Sequence, residues 1–498
     1  MRQHTMVSGT LVLAVAAIVN RIVGLAFRAY LVRTFGQEAI GLYQMAFPLY
    51  VSVMTVSTAG ISIGVARLVA SHRQRGDAGG VRSALWAGSR LAWLAGSLGM
   101  LLLAAGSRTL AVSFVGEARL WVPLLAMAPA LLIVSLGGAV RGYYQGMRYM
   151  SLIATGLLVE QAAHVVASLY LAFYLSPLGA GGISLGLAMG YTLGELCGLL
   201  TLLLFLAIAR RPVTPTPRAG FAPLLAIVIP VGLGRLILSL TGALQAVLIP
   251  RSLRHMGYSA SAAAIAYGQL TGMAVTVLFI PSVLTFPLAS NLLPAMAESG
   301  DQPDKRYGLQ SFLRGLTLAL LLGWPSSVVF IAAGVDICLL LFGVAEAGQL
   351  LSSMGWVAWM IYLTHITTAT LQGLGRPAVP TRNAAICTIL SSLAIVLGTY
   401  LRPELGIYTA VIGVVTGIGT GAALGLLEVV KMLSGLRAVI NLLLRGGVAG
   451  GLALFAVEWA LMSYGGTPLF RLLLAAVTTA GTFFPLAWLL GLTKSLQR

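Results

Sequence analysis

Apolar stretches of about 20 residues, the length a helix needs to cross hydrocarbon, recur from near the N-terminus of this chain to near its C-terminus. Only 9% of the 498 residues are charged and 58% are hydrophobic, with a mean hydropathy of +0.94. A soluble protein of this size could not cover its surface with so few charges. The membrane is therefore the solvent, and no soluble domain fits between the apolar runs.

Runs bounded by charges, Gly and Pro predict spans at about 7–28, 40–68, 82–106, 119–143, 151–176 and 182–209. A second set follows at about 222–250, 261–292, 309–333, 349–373, 380–401 and 407–432, with two more at about 438–462 and 468–491. The expected architecture is an all-α integral membrane protein of about 14 transmembrane helices. It divides into an N-terminal lobe over 1–209, a cytoplasmic linker over 210–221, a C-terminal lobe over 222–433 and two extra helices over 434–498. The linker is read from Arg210, Arg211, Pro212, Pro215, Pro217 and Arg218, a polar, Pro-rich break. The first run carries Asn20 and Arg21 in its second half and no cleavage pattern follows it, so it reads as a retained helix rather than a signal peptide.

The net charge of +18 does not point to nucleic acid, because the 31 basic residues are scattered through short connections rather than gathered on one face. They point to orientation instead. With the N-terminus inside, twenty fall on the cytoplasmic side, Arg141 among them, and eight on the outer side, while Arg21, Arg90 and Arg235 lie within helices. Both termini are expected in the cytoplasm. Cys197, Cys338 and Cys387 each stand alone in apolar surroundings and read as inert thiols.

An internal repeat is expected as well. Thr55 to Asp77 resembles Ser282 to Asp304 at an offset of 227 residues, and the same offset carries Gln145 and Gly146 onto Gln372 and Gly373. Six helices separate the copies, so both begin on the same side of the membrane. Two six-helix lobes in a parallel repeat, with a cavity between them, follow.

Ionisable groups inside hydrocarbon are costly unless they face a wet cavity or a partner. Arg21, Gly24 and Arg28 share one face of the first helix. Arg235 lies deep in the seventh, after Pro230 and beside Gly232 and Gly234. Guanidinium suits bidentate binding of phosphate oxygens, so Arg21, Arg28 and Arg235 are candidates for clamping a diphosphate. The alternative for each is an arginine held by backbone carbonyls or by a glutamate on a neighbouring helix. Glu160 and His164, four apart on the fifth helix, suggest a proton-linked pair, or a Glu160 that neutralises Arg21. Asn20, Gln44 and Gln269 are polar positions that could line a cavity or pack helices. Glu195, one turn after Tyr191, reads as structural, and helices seven to eleven hold no acid in the hydrocarbon core. No catalytic constellation occurs, and no Gly-x-x-x-x-Gly-Lys loop, so neither an enzyme nor an ATP-driven pump is expected, and no metal or cofactor.

Ser8-Gly9-Thr10-Leu11, Asn20-Arg21 with Gly24, Arg28, Arg33 and Gly36, Gly41-Leu42-Tyr43, Leu68-Val69-Ala70, Arg75-Gly76-Asp77, Arg141-Gly142-Tyr143-Tyr144-Gln145-Gly146, Met150 and Glu160-Gln161 together resemble the stage V sporulation protein B group. That group sits in the polysaccharide-export branch of the multidrug/oligosaccharidyl-lipid/polysaccharide exporter superfamily and is related to the lipid II flippases. The likeness is densest over about the first 170 residues. It implies a bacterial inner-membrane flippase of MATE-like fold that moves a lipid-linked, undecaprenyl-diphosphate sugar or peptidoglycan precursor by alternating access, for the spore cortex in spore formers. Cell-wall synthesis enzymes are then candidate partners. A MATE-type drug/cation antiporter is the competing transporter, and would want acids in its cavity. A non-transporting scaffold for cell-wall enzymes is the competitor of another class.

Overall fold

The computed structural model describes residues 2–58, 60–208, 221–300 and 305–497, and every regular element among them is helical. Helix is what hydrocarbon demands, since it satisfies each backbone N–H and C=O within the segment. Among the described residues, eleven segments are long and apolar enough to cross a membrane. One of them, Met150–Ile208, runs across two of the expected spans. The number fourteen thus stays an expectation. The expected linker residues Arg210, Arg211, Pro212, Pro215, Pro217 and Arg218 lie outside the described residues, as does Asp304.

The chain packs as two compact units, Met1–Arg251 with Ser259–Ile265, and Ser252–Tyr258 with Ala266–Arg498. The first holds α1 (Arg2–Phe35), α2 (Gln37–Thr58), α3 (Ile61–Gln74), α4 (Ala78–Thr109), α5 (Trp121–Gly146), α6 (Met150–Leu175), α7 (Gly179–Ile208) and, as far as Arg251, α8 (Phe221–His255). The start of α9 (Ala260–Tyr267) packs with it. The sequence division opened the second lobe at 222, whereas by packing most of α8 goes with the first unit. Leu224 and Val228 are buried against Ile61, Val65 and Val69 of α3, and the Ser52 hydroxyl of α2 donates to the Ser239 carbonyl of α8 at 3.1 Å.

The second unit continues through α10 (Val275–Leu278), α11 (Thr285–Gly300), α12 (Lys305–Phe342), α13 (Ala345–Met354) and α14 (Ala358–Gly373). It closes with α15 (Ala378–Leu401), α16 (Tyr408–Leu433), α17 (Leu436–Ser463), α18 (Pro468–Leu489) and the short α19 (Lys494–Gln497). The last long helices are built into it. Trp324 of α12 stacks on Trp359 at 5.2 Å and lies against Gly446 and Gly450 of α17. Arg471 of α18 pairs with the buried Asp336 of α12 at 3.2 Å.

The repeat offset reappears in local geometry. After α5, Met147, Arg148 and Tyr149 donate to the carbonyls of Tyr143, Gln145 and Tyr144; after α14, Leu374, Gly375 and Arg376, each 227 residues later, donate to Thr370, Gln372 and Leu371. Both turns need a residue at positive φ, supplied by Arg148 (64°) and Gly375 (73°). Gly146 rests on the Ala66 carbonyl and Val69 within the first unit, and Gly373 on the Leu293 carbonyl and Met296 within the second, again at that spacing. Two copies of one helix end, with the same partners in register, are hard to reconcile with chance.

Candidate functional site

The site is positioned by the hairpin of α6 and α7. Gly186, Gly190, Gly194 and Gly198 stand four residues apart on α7, so they form one smooth stripe along it. A Cβ at Gly190 would fall into the backbone of Ser168, one at Gly194 would sit 2.6 Å from the His164 Cβ, and one at Gly198 2.9 Å from the Glu160 Cβ. The backbones therefore approach closely enough to fix Glu160 and His164 of α6 in register with Tyr191 and Glu195 of α7.

Between this hairpin, α1 and α2 lies a cavity of about 240 Å³ wholly within the first unit. Arg28 of α1 and Gln44 of α2 line it together with Glu160, His164, Tyr191 and Glu195. His164 is held edge-on between Phe27, at 5.5 Å, and Tyr191, at 5.6 Å. Tyr191 also meets Phe47 and Tyr50 edge-on at 5.5 and 5.4 Å, and its hydroxyl donates to Glu195 Oε1 at 2.9 Å. The wall is aromatic, with a guanidinium from α1 and carboxylates from α6 and α7.

Those carboxylates converge on Arg141, which lies 3.3 Å from Glu160 and 3.4 Å from Glu195. The neutralising partner of Glu160 is thus Arg141 rather than the expected Arg21. Side chains of a helix tilt toward its N-terminus, so Arg141, though near the end of α5, lies back along the preceding turn. A Cβ at Gly137 would stand 3.2 Å from its Nη2. Sharing one guanidinium between two acids offsets their desolvation at membrane depth.

The expected site residues separate accordingly. Arg28, Gln44, Glu160 and His164 meet in the cavity. Asn20 donates from Nδ2 to the Leu157 carbonyl at 3.3 Å, tying α1 to α6. Arg21 and Arg235 are exposed on α1 and α8, and Gln269 belongs to a π-helical turn, Gly268–Ala274, in the second unit. Sequence reasoning missed Arg141 and the inward face of Glu195. The signal was there, in Glu195, a deep acid without an assigned base.

A family model described as polysaccharide biosynthesis protein matches residues 6–299, more than half of the chain. The chain belongs to the polysaccharide biosynthesis protein family. Within reach of that family model lies every residue of the cavity. Stage V sporulation protein B of Bacillus subtilis (strain 168) is 27% identical over 427 residues, covering 84% of this chain and 82% of that protein. An inward-facing multidrug resistance MATE family transporter of the MOP superfamily matches 84% of this chain and 95% of its own with a TM-score of 0.71 at 15% identity. The lipid II flippase MurJ, in an inward closed conformation, matches 98% and 100% with a TM-score of 0.67 at 14% identity. At such identities the solved structures establish the fold, which is that of MATE and MurJ transporters. This polysaccharide biosynthesis family protein is a multi-pass membrane protein with the fold of MATE and MurJ transporters.

Proposed function

We propose that the protein translocates a lipid-linked anionic sugar, an undecaprenyl-diphosphate sugar or peptidoglycan precursor, from the cytoplasmic to the outer leaflet by alternating access, and serves spore cortex synthesis in spore formers. The observation that carries this reading is Arg28 in the cavity wall beside Tyr43 and Gln44. A guanidinium at that depth offers forked donors to phosphate oxygens where water competes poorly. The relative named stage V sporulation protein B and the fold shared with a lipid II flippase support the substrate class. Arg21 and Arg235 serve as further contacts along the path of the head group, and cell-wall synthesis enzymes supply its precursors.

Glu160 and Glu195 favour a second reading, the drug/cation antiporter, since acids in a cavity attract organic cations. Reconstitution into liposomes with fluorescent lipid II separates the two. The flippase reading expects translocation well above protein-free vesicles; no acceleration, with efflux of a cationic dye instead, replaces it by the antiporter. The excess of basic residues in the expected inner loops supports cytoplasmic termini. A C-terminal reporter that is active only in the periplasm or cell exterior is expected to stay silent, and activity there contradicts the orientation.

A further inference from the structure

The Arg141 guanidinium does not line the cavity, although the two acids it pairs with do. Glu160 and Glu195 line the cavity wall, and the guanidinium stands immediately behind them at 3.3 and 3.4 Å. We infer that Arg141 is a concealed second anion-binding group, released to the cavity when Glu160 and Glu195 take up protons, so that it joins Arg28 on the oxygens of a diphosphate. This rests on the lipid-linked anionic substrate proposed above and adds the condition under which the site accepts it.

The chemistry balances without a further reactant. Two protons neutralise two carboxylates, and the guanidinium donors that those oxygens accepted pass to phosphate oxygens of the same geometry. In their ionised form the two carboxylates occupy the Arg141 guanidinium from two sides of one hairpin, α6 and α7. The groups facing the cluster are Arg28 from α1, Tyr43 and Tyr50 from α2, Arg141 from α5, His164 from α6 and Tyr191 from α7. Arg28 lines the same cavity from α1, as Tyr43 does from α2.

The aromatic wall beside the acids is tightly packed around Tyr191. The Tyr50 ring is wholly buried and stands edge-on to Tyr191 at 5.4 Å. Its hydroxyl lies close to the Tyr191 hydroxyl, whose own proton is committed to Glu195. Gly137 places no side chain against the Arg141 guanidinium.

The test measures binding of farnesyl diphosphate and of inorganic pyrophosphate to the protein in nanodiscs of neutral lipid, between about pH 8 and about pH 6. Farnesyl diphosphate affinity should rise about tenfold or more on acidification. The Glu160→Gln, Glu195→Gln double variant should bind at the higher pH as tightly as the wild type does at the lower. Because the probes themselves titrate, the decisive quantity is the difference between wild type and double variant. Arg141→Gln should lose the acid-dependent gain, and Arg141→Lys, which keeps the charge, should retain part of it. A matching response to pyrophosphate assigns recognition to the diphosphate alone; a response confined to farnesyl diphosphate assigns it to the lipid-borne group. A double variant with the wild-type pH response, or an Arg141→Gln variant with full gain, overturns the inference while leaving the substrate class intact. Wild type that binds neither probe overturns both.

Discussion

Asp77 closes the turn between α3 and α4 by accepting the Gly80 N–H at 2.7 Å and holding His72 Nδ1 at 2.8 Å. The Gly80 N–H and then His72 stabilise its ionised form and hold its carboxyl below the usual carboxylate range. A carboxylate depressed in the folded state contributes stability above its unfolded value and loses it as pH falls through the folded one. Asp77→Ala should therefore lower the thermal midpoint in detergent at neutral pH, with the gap to wild type closing below the ordinary carboxylate range; a gap independent of pH contradicts the account. Legibility at this scale was uneven. Arg75-Gly76-Asp77 reads directly as a turn, whereas Arg141 reads as an inner-face charge, because a position near a helix end says nothing of where a long side chain lies back. Arg28 lines the first unit's cavity, whereas Arg21 and Arg235 stand on exposed sides of α1 and α8, and depth along a helix does not distinguish these positions.

At the scale of elements, the α6–α7 hairpin decides the site. Gly194→Leu drives a side chain into the backbone of His164, and overpacking of this kind costs about 1–3 kcal/mol. A lower unfolding midpoint and weaker farnesyl diphosphate binding are expected, whereas Gly106→Ala on α4, with open space at its Cβ, should change neither. Equal effects of the two variants would show that the glycine stripe does not position the cavity. The spans were visible in the sequence because hydrocarbon imposes a length, yet which face of each packs was not. Residues facing lipid are as apolar as those facing protein, so little periodicity marks the interface. The second expected span, 40–68, is accordingly two helices, α2 and α3, with a break near Gly60 at φ 75°.

For the molecule as a whole, a repeat legible as a faint sequence offset proves to be a repeated helix end with repeated neighbours, because backbone geometry outlasts side-chain identity. The division into units was less legible, since α8 follows the linker in sequence but packs on α3 through Leu224 and Val228. The central claim is that a guanidinium in the first unit's cavity receives a lipid diphosphate, and the lipid II translocation assay addresses it most directly when run on Arg28 variants. Arg28→Ala should cut the translocation rate about tenfold or more, with Arg28→Lys intermediate, as the loss of a bidentate, charge-assisted contact requires. An Arg28→Ala protein that flips lipid II at the wild-type rate contradicts the account.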